Sequence, residues 1–163
     1  MGEARGFAVL EPSRAAILRT WVATLIPPRH ARPDAAEVGA AEYIDATVAQ
    51  VAVLRPALLQ AIDALERLAA SRTGRGFVDC DPGDRERLLR DFEVDDESDA
   101  FNMVRDFTYE AYYGHPRVLA ALEAETGWSS SSPTKGSRME PFDASKLGRV
   151  KTLPPRWRPA EPR

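Results

Sequence analysis

Apolar residues recur along this chain at spacings of three and four, the period of a helix buried on one face. Ile17, Leu18, Trp21, Val22, Leu25 and Ile26 form the first such stripe. Glu11, Pro12 and Ser13 open it, with proline in the first turn, and Pro27-Pro28 closes it. A polar, proline-containing loop follows through Pro33. A second helix is predicted from about Ala35 to Val53, with Tyr43, Ile44, Thr47, Val48 and Val51 turned inward. Pro56 suits the first turn of a third, whose apolar face is Leu58, Leu59, Ile62, Leu65, Leu68 and Ala69. Ser71 to Gly76 ends it, glycine supplying the left-handed backbone common after a helix.

The second half of the body has the same character. Asp81-Pro82 reads as an N-cap and a first-turn proline for a short fourth helix burying Leu88, Leu89 and Phe92. An acidic loop from Glu93 to Asp99 leads to a fifth, capped by Ser98 or Asp99, with Phe101, Val104, Phe107, Thr108, Ala111 and Tyr112 on its face. Gly114, His115 and Pro116 break it, and a last short helix from Arg117 to about Glu125 carries Val118, Leu119 and Leu122. No segment shows strand alternation, and no internal repeat is present. After Gly127 periodicity stops: the last 37 residues hold the Ser129–Ser132 run and six of the 13 prolines. The expected architecture is all-α, a single bundle of about five to six helices over residues 1–126. An extended, basic, proline-rich C-terminal arm over 127–163 is expected to dock on the bundle or on a partner.

Composition leaves that picture standing. At 163 residues, 44% hydrophobic and 29% charged, the chain has the length and make-up of one globular domain with a proper core. Charge adds something new. The arm carries eight Lys and Arg against three acids, a net of +5, so the first 126 residues hold −8 of the overall −3. A basic arm beside an acidic body suggests an arm lying on an acidic surface, its own or a partner's. Nucleic acid is not expected as a partner: the arm has no run of consecutive basic residues, and Trp128, Phe142 and Trp157 alone offer rings for stacking. The N-terminus has neither a charged-then-apolar secretory pattern nor a twin arginine, and apolar stretches fall short of the roughly 18–20 residues of a membrane span. As written, the expectation is a cytoplasmic chain with no membrane span of its own. A periplasmic or exported location would need a carrying partner or an upstream start.

A search for chemistry finds little. There is no glycine-rich phosphate loop after a strand, and Gly74-Arg75-Gly76 sits at a helix end. The two histidines, His30 and His115, lie far apart, and the acidic loop lacks the glycine and terminal glutamate of a calcium-binding hand. Cys80 stands among acids, a setting that favours an inert role over a nucleophilic one. No catalytic, cofactor-binding or metal-binding residue is therefore assigned. What remains is the end of the fifth helix, where Tyr109, Tyr112, Tyr113 and His115 gather, followed by Trp128. Aromatic groups with a polar tip at a helix break suit a protein interface. The interface candidates are Tyr109, Tyr113, His115, Pro116 and Trp128, with Arg156 and Trp157 in the arm.

Those residues, read in order, carry a resemblance. Leu25-Ile26-Pro27-Pro28, Tyr43-Ile44-Asp45, Gly76-Phe77 and the run from Phe101 through Thr108, Ala111, Tyr112, Tyr113, His115 and Pro116 together resemble the gluconate 2-dehydrogenase subunit 3 family. The resemblance covers about Ile17 to Trp128. It implies a small, non-catalytic subunit that binds and stabilises, and helps mature or export, a large FAD-dependent dehydrogenase subunit of the glucose–methanol–choline type acting on a sugar or alcohol. It implies FAD in that partner and, in many such complexes, haem in a third, cytochrome c subunit. Members often carry a twin-arginine signal, from which this sequence departs. Two alternatives stay open: a stand-alone adaptor using its basic arm, and a small helical enzyme using Tyr113, His115 and Glu110.

Overall fold

Proline and acidic residues set the helix starts. In the computed structural model, which describes residues 6–94, 98–129 and 142–154, α1 spans Pro12–Leu25 with Glu11 as N-cap and proline in its first turn. Proline costs nothing there, because the first-turn N–H groups have no helical acceptor. α3, Arg55–Thr73, and α6, Pro116–Thr126, start the same way. α4, Pro82–Glu93, adds the Asp81 carboxylate, which accepts the Asp84 N–H at 2.9 Å. α5 is Ser98–Gly114. Gly74 and Gly127, both at φ +71°, end α3 and α6 in the left-handed geometry that glycine adopts without strain.

The second helix is shorter than the periodicity predicts. α2 is Ala40–Gln50; residues 35–39 form turns, and Ala52–Leu54 is a separate 3-10 turn. Two local effects override the pattern. The Asp34 carboxylate accepts the Glu37 N–H at 2.8 Å, holding a turn, and Gly39 at φ +79° is incompatible with right-handed helix. At the other end the chain bends by 114° into α3. The inward set shifts accordingly. Ala40, Ala41, Ile44, Asp45 and Val48 are buried, whereas Tyr43 and Val51, expected inside, are exposed, and Thr47 is half-buried.

α5 lies at the centre, packed against α1, α2, α3, α4 and α6, most extensively against α2. Trp21, Phe92 and Phe101 join α1, α4 and α5 in one aromatic cluster with ring centroids 5.5–6.3 Å apart. Around it sit Leu18, Ile44, Leu58, Ile62, Leu65, Phe77 and Val104, all fully buried. Cys80 belongs to this core too, its Sγ 3.4 Å from Thr73 Oγ1. Among the described residues no single helix is long and apolar enough to cross a membrane.

Two buried acids hold loops to this frame. Asp45, 2% exposed, accepts the N–H groups of Ala8, Val9 (3.1 Å) and Leu10 (2.9 Å), pinning the segment that precedes α1. Glu66 accepts the Phe77 N–H at 2.9 Å, and a Cβ on Gly76 would lie 2.6 Å from the same carboxylate. The Gly76-Phe77 pair thus has a packing reason: glycine admits the acid that fixes Phe77 in the core.

The chain divides into two compact units, 1–130 and 131–163. The second, expected to be wholly irregular, contains a 3-10 turn Ala144–Leu147 continued by one helical turn, α7, Gly148–Lys151. The Asp143 carboxylate starts it by accepting the Ser145 N–H at 2.9 Å; the Ser145 hydroxyl, donating to the same oxygen at 2.6 Å, and then this N–H lower the carboxyl pKa.

Candidate functional site

The end of α1 and the end of α5 meet beside an open groove. Pro27-Pro28 stops α1, and the chain turns back so that Ile26 C=O accepts the Ala35 N–H at 3.1 Å. Within this loop Arg29 and Arg32 exchange both backbone hydrogen bonds, at 3.1 and 2.9 Å, across a two-residue turn. Its first residue, His30, has φ +53°, a conformation with a steric cost for any residue bearing a Cβ. The loop is tied to α5 by the Tyr112 hydroxyl, which donates to Pro33 C=O at 3.0 Å. Burial raises the Tyr112 pKa, so this hydroxyl remains a donor.

The groove has a volume of about 340 Å³. One wall is the segment from Leu25 to Arg29 together with Arg32; the other is Tyr109, Tyr112 and Tyr113. Tyr112 belongs to the core, while Tyr109 and Tyr113 are 43% and 48% exposed. The three rings meet edge to face, with centroids 6.1 Å apart for Tyr109 and Tyr113 and 5.1 Å for Tyr112 and Tyr113. Such contacts hold the exposed rings in place before anything binds. A second, smaller groove of about 270 Å³ shares Leu25 and Pro27 with the first and extends toward Leu89 and Phe101.

The sequence candidates separate here. Tyr109 and Tyr113 line the groove, and His115, Pro116 and Trp128 do not. His115 is the N-cap of α6: its Nδ1 accepts the Arg117 N–H at 3.3 Å, and Pro116 fills the first turn. Trp128, just past α6, is 54% exposed, its backbone N–H donating to Thr126 Oγ1 at 3.2 Å. Arg156 and Trp157 lie outside the described residues. The opposite wall was not among the sequence candidates: Pro27-Pro28 reads there as a helix stop and as part of the family resemblance, not as an interface. No local signal singles that wall out, because arginines three residues apart recur at Arg72 and Arg75 and at Arg87 and Arg90.

Chemically, the groove offers aromatic faces, proline edges and guanidinium groups. It offers no paired acid and base, because neither Glu110 nor His115 lines it. Glu110 instead stands by the Tyr43 hydroxyl, raising its pKa. Among the described residues no three His, Cys, Asp or Glu side chains come together as a metal would need. Cation-stacking, apolar contact and hydrogen bonding are what this surface can do.

The profile of the gluconate 2-dehydrogenase subunit 3 family matches residues 12–132, which span all six helices of the body. The chain belongs to this family. No curated protein and no solved structure matches it. As a subunit 3 family member it is a component of a dehydrogenase complex, in an accessory place. The matched span includes both walls of the groove and ends just beyond Trp128.

Proposed function

We propose that this chain is the non-catalytic small subunit of an FAD-dependent sugar or alcohol dehydrogenase, binding and stabilising a large glucose–methanol–choline-type subunit. The observation that carries the reading is the pair of exposed, mutually braced rings, Tyr109 and Tyr113, on a preformed groove inside the family-matched region. Rings left in water at a rigid site are stabilised by a partner that covers them, and tyrosine brings large contact area at small entropic cost. In this reading FAD belongs to the large subunit and haem to a third, cytochrome c subunit. The chain assists maturation of its partner, in the cytoplasm or, where the complex is exported, across the membrane.

An obligate interface of this kind buries more than about 2,000 Å² in total and is apolar at its centre. The test is co-expression with a glucose–methanol–choline-type flavoprotein from the same gene cluster. Expected is a soluble complex with bound flavin that collapses, in yield and in dye-linked activity, when this chain is omitted. A flavoprotein equally soluble and active without it overturns the reading.

A further inference from the structure

The body holds a net −8 over residues 1–126, yet the walls of the tyrosine groove contain no acid and two arginines. The two arginines are not equivalent. Arg32 is mostly covered and held 3.4 Å from Glu125, whereas Arg29 is exposed and has no acidic side chain within ion-pair distance among the described residues. Arg29 is also the residue that the strained turn at His30 presents: the two backbone hydrogen bonds with Arg32 fix where its side chain leaves the loop. A cation placed on a rigid hairpin, unpaired and beside two exposed rings, is a recognition element for an anion attached to something apolar.

From this we infer that the groove seats an extended segment of the large subunit, with an acidic side chain on Arg29 and an apolar or aromatic anchor between Tyr113 and Pro28. This rests on the subunit reading above and names the chemistry of its contact. Charge selects the occupant. An acidic segment is repelled by the net charge of the acidic body and attracted beside Arg29, where the groove wall carries no acid, so the same charges that bind it also disfavour other registers. The chain's own arm, with net +5, has the wrong sign for Arg29. An extended occupant, rather than a single inserted side chain, fits the continuation across Leu25 and Pro27 into the second groove; that groove is lined by Glu86, Arg90 and Glu93 over the buried Leu89 and Phe101, so the occupant's acid belongs at the Arg29 end and a neutral or basic residue at the other.

The experiment uses the full chain and the flavoprotein of the same gene cluster. Affinity is measured for wild type, Arg29→Glu, Arg29→Met and Arg72→Glu, the last being an equal charge change on exposed α3 surface that lines neither groove. Arg29→Glu is expected to weaken binding about 30-fold at low salt, Arg29→Met about 5-fold, and Arg72→Glu less than about 2-fold. With p-benzoylphenylalanine in place of Tyr113, irradiation of the complex is expected to label a segment of the flavoprotein with Asp or Glu within a few residues. If the two Arg29 variants behave like Arg72→Glu, the inference is overturned while the complex survives, and the subunit reading stands. A crosslink to residues 131–163 of this chain, to a second copy, or to a flavoprotein segment without acids overturns it too. Failure of the wild-type proteins to associate removes both readings together.

Discussion

Asp45 sits on α2 with three successive backbone N–H groups, from Ala8, Val9 and Leu10, aimed at one buried carboxylate. Replacing it by alanine leaves those donors without an acceptor. If the segment stayed in place, the buried Leu10 N–H would cost about 1–3 kcal/mol and the partly buried Ala8 and Val9 N–H groups less. A cheaper response exists, because residues 6–10 precede α1 and can peel from the bundle into water. Peeling forfeits three hydrogen bonds to a charged group, about 1.5 kcal/mol each, and re-exposes Leu10 with part of Phe7 and Val9, about 3 kcal/mol in all. It regains about 1 kcal/mol of backbone entropy for each of some five residues. The balance is a loss of about 2–3 kcal/mol, a large share of the stability of a domain this size. Urea unfolding of wild type, Asp45→Asn and Asp45→Ala reads the magnitude, and hydrogen exchange by mass spectrometry reads the location. Expected are a midpoint shift largest for alanine, smaller for asparagine, and loss of protection at residues 8–10 in both. A loss below about 0.5 kcal/mol with protection at 8–10 retained would refute the reasoning, since the apolar contacts alone would then hold the segment.

Three further outcomes follow from the same geometry. Tyr112→Phe removes the hydroxyl that donates to Pro33 C=O; it is expected to cost about 1–2 kcal/mol and to accelerate exchange over residues 26–35, read by melting and exchange. Gly76→Ala forces the Glu66 carboxylate aside and frees the Phe77 N–H; a loss of about 1–2 kcal/mol is expected in urea unfolding, and a smaller one in a Glu66→Ala background, where that acceptor is already gone. The Arg14 guanidinium donates to Asp63 at 2.9 and 2.8 Å and lowers its pKa, so the contribution of the pair is present above the unfolded aspartate's value, about 4. It fades as the pH falls through the lower folded value. Between pH 6 and 3, wild type should therefore lose more melting temperature than Asp63→Asn, and equal losses would count against it.

Much of this fold is legible in the sequence because helix formation here is signalled locally. Asp81-Pro82, Pro12, Pro56 and Gly74 each mark a helix end by a mechanism confined to a few residues, and the 3.6-residue stripes of α1, α3 and α4 name the core correctly. α2 misled because its apolar pattern continues into residues 35–39 while Asp34 and Gly39 impose turns, and a period cannot register a φ of +79°. Asp45 was visible as part of a family-like motif, but its three backbone donors come from about 35 residues away. The tyrosine wall was found as an aromatic cluster at a helix break. Its opposite wall was not, because the Arg29–Arg32 hairpin comes into contact with α5 only through tertiary packing. His115 shows the converse: an eye-catching residue beside the tyrosines whose ring nitrogen is spent locally as a helix cap.

The aromatic cluster in the core gives this protein an optical handle. Trp21 is sealed against Phe92 and Phe101, whereas Trp128 stands more than half in water just beyond α6. The two indoles therefore emit from different surroundings, the buried one toward the blue and the exposed one toward the red. In a Trp157→Phe background, a change confined to the red component on adding the partner proposed above, once that partner's own emission is subtracted, reports contact near the end of α6, and a change in the blue component reports disturbance of the core. One fluorescence spectrum can then separate docking from unfolding within a single titration.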